Sequence, residues 1–164
     1  MGSLQSAMAT FRRQLEDGDL IEAYQGLMAF IRELRSYFQK KYPHYVVPRN
    51  IYYGYLDMTY FAVIPPALRP HRLKIAIVFD YEHFRFDVWL SGTNRKIQDG
   101  IWQQLKGLKH APYRLADDPK TEDYVLAGVV VENPDFSNLE ALKAEIESGT
   151  MKFIQNIEQL LGSL

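Results

Sequence analysis

Lysine, arginine, two carboxylates and a tryptophan fall within sixteen positions of one another: Lys74, Asp80, Arg85, Asp87 and Trp89. Carboxylates supply general bases or ligands for hard cations, cationic side chains hold anions, and an indole offers a flat apolar wall. Upstream, Tyr53, Tyr55 and Asp57 add two phenols and a third carboxylate. Aromatic walls with a few convergent charges are what a small-molecule or peptide pocket requires. Whether the chain can bring these residues together depends on the elements that carry them.

The stretch LKIAIVFDYEHFRFDVWL (73–90) reads as two β-strands joined by a tight turn. Strand side chains alternate between faces, so residues of like parity share a side. Leu73, Ile75, Ile77 and Phe79 form one apolar set, and Phe84, Phe86, Val88 and Leu90 form another. Both sets reach the same face only if Asp80 faces Arg85, Val78 faces Asp87 and Ala76 faces Trp89, with Tyr81 opposite Phe84. A slip of one residue would bury Arg85, Asp87 and Trp89, so burial selects this register. Lys74, Asp80, Arg85, Asp87 and Trp89 then share the opposite, polar face. Asp80 with Arg85 is expected as a cross-strand ion pair, and Asp87 with Lys74 as solvated neighbours.

The rest of the chain supplies cover. Residues 4–16 suit a short amphipathic helix that Asp17-Gly18 breaks. Asp19 with Glu22 forms an N-terminal capping pattern for a longer helix ended by Pro43, whose stripe is Leu20, Tyr24, Leu27, Met28, Ile31, Leu34 and Phe38. Residues 51–63 are aromatic and β-branched enough for a strand, bulged near Leu56-Asp57, which would carry Tyr53, Tyr55, Asp57 and Thr59 on one face. The proline loop 65–70 precedes the hairpin. Ser91-Gly92-Thr93 opens a helix to about Lys106, and a polar loop spans 108–123. Tyr124–Val131 is a buried strand. Ser137 with Glu140 opens a final helix to about Leu161, interrupted at Ser148-Gly149-Thr150.

The expected fold is α+β in the order α-α-β-β-β-α-β-α, within one domain over residues 1–164. Three strands form an antiparallel meander. A fourth, after a helical crossover, lies parallel to the third, giving a mixed four-stranded sheet packed with helices. That order matches the core of restriction-endonuclease-like proteins, whose nucleases hold Mg²⁺ with an acid on one strand and an acid-x-Lys on the next. Here the third strand offers Asp87-Val88-Trp89, with tryptophan where lysine belongs.

Composition narrows the classes. The net charge is −1, with 47% hydrophobic and 24% charged residues; a small molecule or a protein is therefore a better partner than nucleic acid or an anionic membrane. The basic cluster Arg69, His71, Arg72 and Lys74 reads as a solvated loop. There is no cysteine, hence no disulfide, thiol catalysis or thiolate-bound zinc. His44, His71, His83 and His110 show no metal-ligand spacing, so no metal site is assigned. Nucleophile-elbow, dinucleotide and P-loop motifs are missing, and the sequence leaves any cofactor unknown. No apolar run reaches membrane-spanning length and no secretory signal is evident, so a cytoplasmic setting is expected.

At YYGYLDMTYF (52–61), RLKIAIVFDYEHFRFDVWLSG (72–92) and VENPDFSNLEALKAEIESGTMKFI (131–154), the chain resembles a small bacterial family of uncharacterised single-domain proteins carrying a domain of unknown function. The resemblance spans most of the chain and implies a bacterial cytoplasmic protein; it brings no activity, ligand or catalytic residue. Three readings stay open. The leading one is a non-catalytic binding or interaction module using the polar sheet face, or a homodimer formed through the last helix or an edge strand. The others are a metal-dependent, nuclease-like protein and a small-molecule enzyme with Asp57 or Asp87 as general base.

Overall fold

The computed structural model describes residues 2–164. The chain divides into two compact units, one ending at Leu34 and the other running from Arg35 to Leu164. The first holds helix α1 (Leu4–Asp17) and most of α2 (Asp19–Lys41), which continues into the second. Ser3 caps α1 by accepting from the Ser6 N–H, and Gly18, at φ 87°, ends it in the left-handed conformation that glycine adopts without a Cβ clash. Acidic Asp19 and Glu22 lie in the first turn of α2, and Lys40 and Lys41 in its last, both signs suiting the helix dipole. The apolar stripe of α2 is buried from Leu27 through Phe38.

In the second unit, β1 (Met58–Val63), β2 (Leu73–Asp80), β3 (Arg85–Gly92), β4 (Arg114–Leu115) and β5 (Leu126–Val131) form one sheet in the order β1-β2-β3-β5-β4. Helix α3 (Arg95–Leu105) follows β3 and α4 (Leu139–Gly162) closes the chain. The hairpin has the register that burial demands: Asp80 pairs with Arg85, Val78 with Asp87 and Ala76 with Trp89. Leu73, Ile75, Ile77, Phe79, Phe86, Val88 and Leu90 are all buried on one face. Phe38 meets Phe61 of that face with ring centroids 6.0 Å apart. A Cβ on Gly128 would touch Phe153 of α4 at 3.5 Å, and one on Gly149 would lie 2.6 Å from Val130. Gly149 therefore lets α4 approach the sheet closely, and Ser148-Gly149-Thr150 sits inside an unbroken helix instead of interrupting it.

The α+β class stands, whereas the sheet differs from expectation. All pairings are antiparallel, including β3 with β5. The crossover that would have laid the last strand parallel to the third, and with it the mixed sheet, does not form. After α3 the chain first runs out through residues 106–113 and adds the short strand β4 at the far edge, so β5 returns in the opposite direction. Two helix starts are also displaced. Asn94 caps α3 by accepting from Ile97 N–H, leaving Ser91 and Gly92 in β3. Asn138 caps α4, while Ser137 is bound to Asp135.

Residues 51–57 depart most. In this stretch the ladder is reduced to an isolated Tyr52–Tyr60 bridge, and the chain from there to Met58 turns sharply through Gly54 (φ 72°) and Leu56 (φ 64°). Asp57 organises the turn: its Oδ1 accepts from the Tyr55 and Met58 N–H groups at 2.8 Å. These bonds hold the Asp57 carboxyl below its usual range.

One carboxylate ties the end of α2 to α4. Glu147 accepts from the Tyr37 and Tyr42 hydroxyls at 2.9 and 2.8 Å and from Lys41 Nζ at 3.0 Å. Burial opposes its ionisation, but these donors outweigh burial and leave its pKa lowered. Burial and then Glu147 push Tyr42 up to about 12. Two stability measurements test this account. A Cβ at Gly54 would lie 2.0 Å from the Met58 carbonyl oxygen, so Gly54→Ala should cost at least ~1 kcal/mol in urea unfolding. Glu147→Ala strands two phenols and should cost about 1–3 kcal/mol by the same assay.

Candidate functional site

The polar face carries Tyr60, Lys74, Asp80, Arg85, Asp87, Trp89 and Ser91 over the small buried residues Ala62, Ala76 and Val78. Lys74 and Asp80 stand at opposite ends of β2. Six residues of strand separate them by roughly 20 Å. The predicted site residues therefore share a face without sharing a site, and the face divides in two.

The half beside the turn is closed by its own ion pairs. Asp80 does not pair with Arg85: its carboxylate accepts from the Glu82 and His83 N–H groups and meets His83 Nδ1 at 2.7 Å. A carboxylate placed to cap a tight turn is drawn to the nearest N–H donors, which lie two and three residues ahead. Arg85 Nε instead donates to Asp87 Oδ1 at 2.9 Å along the same strand, and its Nη1 reaches Glu132 at 3.5 Å. Asp87 is 5% exposed and makes no contact with Lys74. Burial pushes the Asp87 carboxyl up to about 6, against the pull of the Arg85 charge.

At the other half lies a cavity of about 300 Å³, lined by residues of β1, β2, β3, the start of α3 and the loop before β5. Of the predicted residues it takes Lys74 and Trp89. Tyr52 and Tyr60, stacked with centroids 5.1 Å apart, form one wall. Lys74 Nζ lies 5.9 Å from the Tyr60 ring centre. Trp89 forms another wall and leans on Tyr124 at 5.4 Å. Burial, and then Asp123, raise the Tyr60 phenol, which keeps it protonated at neutral pH.

The polar rim is built by α3 and the loop it clamps. Ser91 Oγ donates to the Asp123 carbonyl at 2.7 Å, and Arg95 holds the Asp123 carboxylate at 3.1 Å and the Glu122 carbonyl. The buried Gln98 amide donates to the Pro119 and Glu122 carbonyls and accepts from Gly92 N–H. Trp102 Nε1 donates to the Ala116 carbonyl at 2.7 Å. The polar loop is thus pinned to α3 by side chains that satisfy its carbonyls.

Tyr53, Tyr55 and Asp57 lie outside the cavity. The turn at 53–57 takes them off strand parity, leaving Tyr55 91% exposed and Asp57 spent on backbone. Tyr52, Tyr60, Ser91, Arg95, Gln98 and Asp123 line the cavity and were missed by sequence reasoning. Gly54 and Asp57, both turn formers, are the signal that shifts the tyrosine parity. Nothing local marks Gln98 or Asp123, since they arrive through α3 and the loop. Among the described residues, no three His, Asp or Glu side chains gather as a metal cage, and no helix is long and apolar enough to cross a membrane.

The raised Asp87 pKa makes a signed prediction. Its folded value, about 6, exceeds its ordinary 3.8, so the folded state holds the proton more tightly than the unfolded one. Its contribution is then most favourable at low pH and declines as pH rises through roughly 4–6. Asp87→Asn removes this titration. The stability of the variant relative to wild type should climb across that window, by up to about 3 kcal/mol, as read from urea titrations at a series of pH values. A constant offset would show that the carboxyl does not titrate there.

Comparison with known proteins adds a family without adding an activity. No curated protein and no solved structure shows significant similarity to this chain. A family model described as "Domain of unknown function (DUF7000)" matches residues 4–161, the two compact units together. On that match the chain belongs to the DUF7000 family.

Proposed function

We propose that the chain is a non-catalytic binding module whose ligand is a small planar molecule bearing an acidic group. The observation that carries this reading is Lys74: it lines the cavity with its Nζ 5.9 Å from the Tyr60 ring centre and no carboxylate at ion-pair distance. The neighbouring cation, Arg95, is already committed to Asp123. An ammonium beside an aromatic face, with no carboxylate partner, is matched by an anion that brings its own flat ring. The volume of about 300 Å³ is at the small end of ligand pockets and suits one or two fused rings.

The non-catalytic part rests on the carboxylates. Asp123 lines the cavity but is held by Arg95, while Asp57 and Asp87 lie outside it. No lining acid is left without a partner to serve as base. A bacterial, cytoplasmic setting belongs to the same proposal and is supported by the family resemblance alone.

Thermal shift followed by calorimetry tests it, with aromatic carboxylates and nucleoside monophosphates as probes. At least one probe should raise the melting temperature, because a ligand selective for the folded state stabilises it. Lys74→Met should weaken that probe by about 10–100-fold, the worth of a charge-assisted hydrogen bond, and Trp89→Ala should weaken it as well. The reading fails if neither probe set binds, or if Lys74→Met leaves affinity intact.

A further inference from the structure

Helix α1 is the element that this reading leaves unused, and its chemistry is unusual for a free helix. Every residue from Leu4 to Asp17 is exposed. Yet Leu4, Met8, Phe11 and Leu15 recur at spacings of four, three and four, the 3.5-residue repeat of a helix–helix seam. Leu4 is 79% exposed, and even Leu15, the most covered of the four, is 37% exposed. A helix of 14 residues with no packed face is marginal in water. Its ends are nevertheless well made, by the Ser3 cap and the left-handed Gly18. Such a helix is a surface waiting for cover.

We propose that the cover is a second copy of this chain, with the two α1 helices packed antiparallel about a two-fold axis between Met8 and Phe11. That arrangement sets Leu4 against Leu15 and Met8 against Phe11 of the other copy, closing the seam with the same residues from both sides. Charge selects the direction. The first turn of α1 holds no acid and its last turn no base; at the C-terminal end Asp17 makes no ion pair among the described residues, beside Glu16, which exposed Arg12 holds at 2.9 Å. Antiparallel packing brings those acids to the positive N-terminal end of the other helix, which lacks acids of its own. Parallel packing would instead stack Arg12 and Arg13 on their own copies. The charged residues of α1 cancel, Arg12 and Arg13 against Glu16 and Asp17, so the helix lacks the cationic face that an anionic membrane surface selects. Four side chains per copy make a small interface, which implies weak, reversible association.

Sedimentation velocity of the full chain across a concentration series tests the proposal. Wild type should pass from monomer to dimer, while Met8→Glu with Phe11→Glu should raise the dissociation constant by at least about a hundred-fold by placing charge in the seam. The chain has no cysteine, so engineered thiols report direction. Met8→Cys with Phe11→Cys should crosslink between copies under mild oxidation, and Met8→Cys alone should not. A monomer at every concentration overturns the proposal, even if α1 then binds lipid vesicles or another protein. So does a dimer that survives both glutamates, or efficient crosslinking through Met8→Cys alone.

Discussion

The second unit depends on the pairing register of β2 with β3. Because strand side chains alternate, that register decides at one stroke which residues join the apolar face and which join the polar one. With Ile77 across from Val88 and Val78 across from Asp87, seven large apolar side chains lie on one side. A shift of a single residue would turn Arg85 and Asp87 onto the apolar face and put Phe86, Val88 and Leu90 in their place. The tight turn at Tyr81–Phe84 enforces the same choice. Asp80 gathers the turn's N–H groups, and Phe84, at φ 52°, gives up strand geometry to close the turn while its ring rests on Phe79.

The polar face that results is not uniform. Near the turn, Asp80 is satisfied by the His83 ring and the turn's N–H groups, and Arg85 by Asp87 and Glu132. At the far end, Lys74 stands four residues along β2 from Val78, the partner of Asp87, roughly 13 Å from the nearest of these acids, and has the Tyr60 ring beside it instead. Electrostatics thus closes one end of the sheet and leaves the other with a cation among rings. That asymmetry, more than the inventory of charged residues, makes the cavity a binding candidate.

The hairpin was legible in the sequence from Asp80 opposite Arg85 inward, because period-two alternation admits one register; the expected Tyr81–Phe84 pair instead falls in the turn, with Phe84 exposed. The two N-terminal helices were legible for the same kind of reason: Asp17-Gly18 and the stripe from Leu27 to Phe38 are local signals. Reading 51–57 as strand failed, although Gly54 and Asp57 are turn formers; the aromatic run outweighed them. The direction of β5 was not legible at all. It depends on where the chain emerges after α3 and on the two residues of β4, too short to leave a periodic trace. Little of the candidate site was legible: Lys74 and Trp89 follow from parity, whereas Tyr53, Tyr55, Asp57, Asp80, Arg85 and Asp87 share their type but not their place.

By itself, then, the sequence determined what alternation and capping encode: the helices, the central hairpin, its register and the side on which its charges lie. These are local properties, written in side-chain spacing of two or 3.6 residues. Tertiary structure decided how far apart those charges stand, which of them neutralise one another, and that Tyr52, Gln98 and Asp123 join Lys74 at one cavity. Those outcomes depend on contacts between residues tens of positions apart, whose energies are set by burial and distance and leave no periodic mark in the chain.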